Sequence, residues 1–74
     1  MATDSDKYLV KLGKRIAEIR ESKNITQYRL AKDLFMEQSN LARIEDGNTN
    51  PTVKTLLKIC DALDIQMVDL FKHK

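Results

Sequence analysis

The sequence is short of most things a chain of this size would need for chemistry. It has one cysteine among 74 residues, which excludes an intramolecular disulfide framework and a cysteine-based zinc site. One histidine beside it argues against a buried metal staple. Two glycines and one proline supply no Gly-rich phosphate loop, and no nucleophile–base pair or cleft-framed carboxylate pair is recognisable. No apolar run exceeds three residues, against the roughly 20 a membrane-spanning helix needs. Residues 1–6 carry neither a basic nor an apolar stretch of the kind found in a signal peptide. The net charge of +2 is too small, as a total, to argue for nucleic acid. What is left is one domain with one core, expected to be soluble and cytoplasmic, not an enzyme, with no metal, cofactor or small-molecule ligand. Such a short chain must hold its core unaided or borrow apolar area from a partner chain.

What is present is helical periodicity, with no sustained alternation of the kind strands show. Residues 1–6 are polar and read as a disordered tail, leaving 7–74 as the folded domain. A first helix over about 7–23 places Leu9, Leu12, Ile16 and Ile19 on one stripe. Thr26 is an apt N-cap for a second helix over about 27–34, whose buried side is Leu30, Ala31 and Leu34. After a connector of residues 35–37, a third helix runs over about 38–46 and stops at Gly47. A turn-rich loop, 48–51, precedes a fourth helix that starts near Pro51 or Thr52, with Val53, Leu56, Leu57, Cys60 and Leu63 as its apolar face. A fifth short helix carries Met67, Val68, Leu70 and Phe71. The expected fold is therefore all-α, five short helices, with a helix-turn-helix at about 27–46.

The helix pair carries the functional signal. Leu30, Ala31 and Leu34 face Leu41 and Ile44 across a crossing that the small Ala31 lets close. With Leu41 and Ile44 inward, the third helix turns Ser39, Ala42 and Arg43 outward, flanked by Gln38 and Asn40. A helix fits the major groove of B-DNA when its outer face is polar or small. Arg forks onto guanine O6 and N7, Gln or Asn onto adenine N6 and N7, and Ala sits beside a thymine methyl.

These residues resemble the Cro/lambda-repressor-type (Xre-like) helix-turn-helix DNA-binding family. The resemblance rests on Leu12-Gly13-Lys14-Arg15-Ile16 with Ile19-Arg20, Ile25-Thr26-Gln27 with Leu30-Ala31, and the run from Leu41 to Gly47. Asn50-Pro51, Leu56, Ile59, the run from Ala62 to Ile65, and Leu70-Phe71 extend it. It implies that Gln38, Ser39 and Arg43 read bases. It implies that Gln27 touches a phosphate and braces Gln38, that Asn40 lies at the groove wall, and that Thr49 and Asn50 bond phosphates. Arg20 and Glu45 match a buried or half-buried ion pair of the family. Tyr28 and Lys54 are candidates for the DNA backbone, each with ordinary surface packing as the alternative. Two positions depart from the pattern. Phe35 stands where the family has glycine at positive φ, so either the turn is altered or packing of the ring offsets the strain. Glu37 stands where the family has Ser or Thr: it is a weaker cap whose charge suits a helix N-terminus, and it is placed either to accept from a cytosine N4 amine or to repel phosphate.

The expected function is a sequence-specific, double-stranded DNA-binding transcriptional regulator. One helix reads few base pairs, so a homodimer on a palindromic operator with half-sites about 34 Å apart is expected. Ile65, Met67, Val68 and Phe71 are the candidate dimer surface. The alternatives are a protein-interaction module, such as an antitoxin or adaptor built on the same fold, and a nonspecific architectural DNA binder, against which the small net charge argues.

Overall fold

The computed structural model describes residues 4–72. Five α-helices follow one another: α1 (Asp4–Ser22), α2 (Gln27–Asp33), α3 (Gln38–Glu45), α4 (Val53–Leu63) and α5 (Met67–Leu70). No strand occurs among the described residues. The core gathers one apolar stripe from each helix, and Ile16, Leu30, Leu41, Ile59, Leu63 and Leu70 are fully buried. The stripe of α1 holds as Leu12, Ile16 and Ile19, with Leu9 half-buried.

Two boundaries and one helix face differ from the sequence-based expectation. Helix α1 begins at Asp4, so residues 4–6 of the expected tail are helical, and residues 1–3 of it lie outside the described residues. Asp4 and Asp6 lie in the first turn, where carboxylates oppose the positive end of the helix dipole. Pro51 is not helical. Thr52 is the N-cap of α4, its hydroxyl accepting from the Thr55 backbone N–H at 3.1 Å, and Pro51 precedes it. The apolar face of α4 is narrower and rotated: Leu56, Ile59, Cys60 and Leu63 are buried, whereas Val53 and Leu57 are 65% and 52% exposed. Ile59 supplies the burial expected of Leu57, which lies about 100° round the wheel from Leu56.

Four helices end by one device. The residue after the last turn is left-handed at Asn24 (φ 59°), Phe35 (φ 55°), Gly47 (φ 76°) and Asp64 (φ 58°). The next N–H then reaches back five residues, from Ile25 to Arg20, Met36 to Ala31, Asn48 to Arg43 and Ile65 to Cys60. These six-to-one bonds satisfy carbonyls the helix end would leave open. Ile25, Met36 and Ile65 fold back onto the core, so each closure also plants an apolar side chain. Asn, Asp and Gly tolerate this conformation; Phe does not, at a cost of about 1–2 kcal/mol. The Phe35 ring is 97% exposed. The turn thus keeps its positive φ, and no packing of the ring offsets the strain.

Helix α1 crosses α3 at Gly13. A Cβ there would collide with the Ile44 carbonyl oxygen and come within 2.7 Å of the Glu45 carbonyl carbon, so only glycine permits the backbones to meet. Gly47 makes a second close approach, its missing Cβ facing the Val10 Cα at 2.6 Å. Both contacts fix the C-terminal end of α3. At the far end of the domain, Cys60 is buried and its Sγ lies 3.6 Å from Met67 Sδ. Burial, reinforced by the Asp69 charge, pushes its thiol pKa up, as expected of a packed core thiol.

Candidate nucleic-acid interface

Helix α3 buries Leu41, Ile44 and Glu45 and exposes Gln38, Ser39, Asn40 and Arg43, with Ala42 half-buried. The outward face is polar or small along its length, and Arg43 is its sole formal charge. The Arg43 side chain makes no hydrogen bond or ion pair among the described residues, so its guanidinium is available to a ligand.

One hydrogen-bonded chain ties this face to the interior. Arg20 meets Glu45 in a two-pronged contact, Nε to Oε2 at 2.8 Å and Nη2 to Oε1 at 3.1 Å. The side chains are 11% and 5% exposed. Arg20 Nη1 also donates to the Ile25 carbonyl at 2.9 Å, which ties the guanidinium to the turn that ends α1. The hydrogen bond to Glu45 raises the Arg20 pKa, against an opposing contribution from burial. Gln27 Nε2 donates to Glu45 Oε1 at 3.0 Å, and Gln38 Nε2 donates to Gln27 Oε1 at 3.3 Å. Four residues from three helices therefore form one line: Arg20 of α1, Glu45 at the end of α3, Gln27 at the start of α2, and Gln38 at the start of α3. The physical effect is to spend two charges inside the fold and to orient an exposed glutamine without using a charge at the surface.

The helix starts divide by cap chemistry. Thr26 caps α2, its hydroxyl accepting from the Arg29 N–H at 3.0 Å. Glu37 occupies the N-cap of α3 with extended backbone, yet its side chain makes no capping bond and is exposed.

The other sequence-predicted residues lie apart from the bonded line. Tyr28 is 63% exposed on α2. Asn50 is exposed and Thr49 half-buried in the loop after α3, where they line a shallow groove with Asp6, Leu9, Val10 and Gly47. Lys54 is exposed in the first turn of α4. Among neighbours of the expected sites, Arg29 is held by Asp33 at 3.4 Å in an exposed pair. Sequence reasoning missed the supporting role of Gly13 and of the Val10–Gly47 contact. A glycine in the middle of an otherwise regular helical stripe was the available signal for the first.

A capped short helix, a left-handed turn and a second helix with a polar outer face define a helix-turn-helix DNA-binding domain. The profile of the Cro/C1-type HTH DNA-binding domain matches residues 15–74. The chain belongs to that family. It is 39% identical over 56 residues to the immunity repressor protein of Bacillus phage phi105, a match covering 76% of this chain and 39% of that protein. It is 33% identical over 61 residues to the cryptic phage CTXphi transcriptional repressor RstR of Vibrio cholerae, covering 82% of this chain and 54% of that protein. The chain thus spans about half the length, or less, of these two relatives. Among solved structures, the restriction-modification controller protein C.AhdI from Aeromonas hydrophila superposes with a TM-score of 0.82 at 36% identity, over 85% of this chain and 96% of that one. The controller C.Esp1396I, in a tetramer complexed with its natural 35 base-pair operator, superposes with a TM-score of 0.77 at 31% identity, over 86% of this chain and 84% of that one.

Proposed function

We propose that this chain is a sequence-specific regulator of transcription that binds double-stranded DNA with α3 in the major groove. The observation that carries the reading is the outward face of α3. Four exposed polar side chains stand there without a bulky apolar side chain on the same face, and the one at its start is oriented from the core by the Arg20–Glu45–Gln27 line. In this reading Gln38, Ser39 and Arg43 contact base edges. Gln27, Tyr28, Asn40, Thr49, Asn50 and Lys54 contact or support the sugar-phosphate backbone. Phage repressors and a controller complexed with its operator, as relatives, support a regulatory role.

A single reading head covers few base pairs, so the chain acts as a homodimer on a palindromic operator. Of the four residues expected at the dimer surface, Val68 and Phe71 are 56% and 53% exposed, whereas Ile65 and Met67 are half-buried against the core. Leu57, exposed on α4, is an apolar addition to the exposed set. The dimer surface in this reading is Val68, Phe71 and Leu57.

The test is a salt-titrated binding assay on duplex DNA from the region around the chain's own gene, with Arg43→Ala alongside. Direct readout predicts that Arg43→Ala loses about 1–3 kcal/mol and relaxes preference at one base pair. Absence of binding by the unaltered chain at low salt overturns the DNA reading. Sedimentation at micromolar concentration checks the dimer, and a monomer there removes the role given to the C-terminal apolar side chains.

A further inference from the structure

The turn between α2 and α3 contains two residues that work against the fold, both exposed, both just ahead of the reading helix. Phe35 is held left-handed at φ 55° with its ring 97% exposed. The other three helix ends that close by the same six-to-one bond use Asn24, Gly47 and Asp64, residue types suited to that conformation. Phe35 therefore bears the strain and receives no burial in return. Glu37 takes the N-cap of α3 and makes no capping bond, although the caps of α2 and α4 are threonines that do. Phe35 breaks a local rule with no compensation inside its own chain, and Glu37 leaves the cap bond unmade although its carboxylate suits the positive end of the helix dipole; such a pairing marks a place where function is to be sought.

We propose that this turn is a second reading element, in which Glu37 accepts a hydrogen bond from a cytosine N4 amine and the Phe35 ring packs on a thymine methyl of the same half-site. The inference rests on the DNA-binding reading of α3 and extends its base contacts toward the chain N-terminal to it. Glu37 immediately precedes Gln38 and enters the groove with it. The chemistry of the two side chains fixes their targets. A carboxylate has only acceptors, so in the major groove it matches the cytosine amino group and is repelled by the guanine and thymine oxygens. An aromatic ring has no polar group to satisfy and matches the thymine methyl. A carboxylate facing the acceptor edge of guanine or thymine meets like partial charge and no donor, so Glu37 discriminates by repulsion as well as by bonding.

Selection from a randomised duplex library with the full chain tests the proposal. The unaltered chain is expected to enrich a cytosine and a thymine at fixed positions of each half-site. Glu37→Gln is expected to move the first preference from cytosine to adenine, whose N6 and N7 suit an amide, with a loss of roughly tenfold on the original sequence. Glu37→Ser is expected to bind with that position relaxed and to unfold at a higher temperature, because serine caps α3. Phe35→Asn keeps the left-handed turn, and is expected to unfold at a higher temperature and to lose the thymine preference. Glu37→Ser and Phe35→Asn are expected to gain stability and Glu37→Gln to lose only a helix-dipole contribution, and melting temperatures measured alongside show each variant folded, so a null result is not charged to misfolding. A fixed consensus in the unaltered chain that Glu37→Gln, Glu37→Ser and Phe35→Asn all share overturns the proposal and leaves the reading of α3 standing. Enrichment of no sequence by the unaltered chain overturns both.

Discussion

Replacing Glu45 by alanine should cost this domain a large part of its stability. The substitution leaves the Arg20 guanidinium nearly buried, with one remaining bond, Nη1 to the Ile25 carbonyl at 2.9 Å. It also takes from Gln27 the acceptor it bonds at 3.0 Å. Removing one partner of a buried ion pair costs about 3–5 kcal/mol, because the surviving charge has neither its partner nor full hydration. A chain of 74 residues has on the order of 4–11 kcal/mol in total. Glu45→Ala should therefore remove from about a quarter to all of it, and urea unfolding followed by circular dichroism reads the loss directly. The companion variant, Arg20→Met with Glu45→Met, removes both charges and refills the volume, and should be less damaging than Glu45→Ala alone. Because the pair is shielded from solvent, the stability difference between Glu45→Ala and the unaltered chain should change little with added salt. A cost for Glu45→Ala below about 1 kcal/mol, the range of an exposed pair, would refute the reasoning. So would a double variant as damaged as the single one.

Two further perturbations separate effects that point in opposite directions. Gly13→Ala should destabilise the domain even though alanine is the better helix former by about 1 kcal/mol, since its Cβ meets the carbonyls of Ile44 and Glu45; a raised melting temperature would show that α1 and α3 need not touch there. Asp69 is held below its ordinary carboxylate value of 3.8, first by the Gln66 backbone N–H at 2.9 Å and then by Lys72. A depressed folded-state pKa gives stability that is present above the unfolded value and is lost as pH falls through the folded one. Asp69→Asn should therefore be less stable than the unaltered chain near neutral pH, with the gap closing below about pH 4, and urea midpoints measured across that range check it.

The order of the helices and the orientation of α3 were legible because both depend on local signals. Thr26 announces a cap, Gly47 a stop, and Leu41 with Ile44 sets which side of α3 turns inward. The signals that failed were those in which periodicity says nothing. Asp4 to Asp6 has no apolar residue to mark a stripe, so its helical state shows only in the fit of its carboxylates to the helix dipole. Val53 and Leu57 look like core on a wheel, yet α4 has one narrow buried face, and which side of it meets the core depends on the partner helices. Phe35 posed a choice, altered turn or packed ring, that sequence has no means to decide. The structure shows a third outcome, an unaltered turn with an unpacked ring. Of the candidate site, the bonded line from Arg20 to Gln38 was legible as family pattern. Its continuity through Glu45 Oε1, which accepts from both Arg20 and Gln27, is a matter of atoms that no spacing rule predicts.

The distribution of charge then bears on how such a small domain can bind DNA selectively. Of the side chains assigned above to DNA only Arg43 and Lys54 carry a positive charge, so in that reading counterion release supplies a small share of the affinity. Among its 24 Lys, Arg, Asp and Glu residues, Arg20 and Glu45 are buried, and they are the two that hold the helices of the reading head together. On the exposed face of α3 a single charge remains, Arg43, among neutral side chains that bond by geometry. Geometry gives selectivity only when the donors are already in place, because ordering a long side chain on binding costs about 0.5–1.5 kcal/mol. The buried pair provides that order for Gln38 through Gln27. In the proposed reading, stability and recognition are coupled through one carboxylate, and a substitution at Glu45 that leaves the domain folded should still weaken discrimination at the base pair assigned to Gln38.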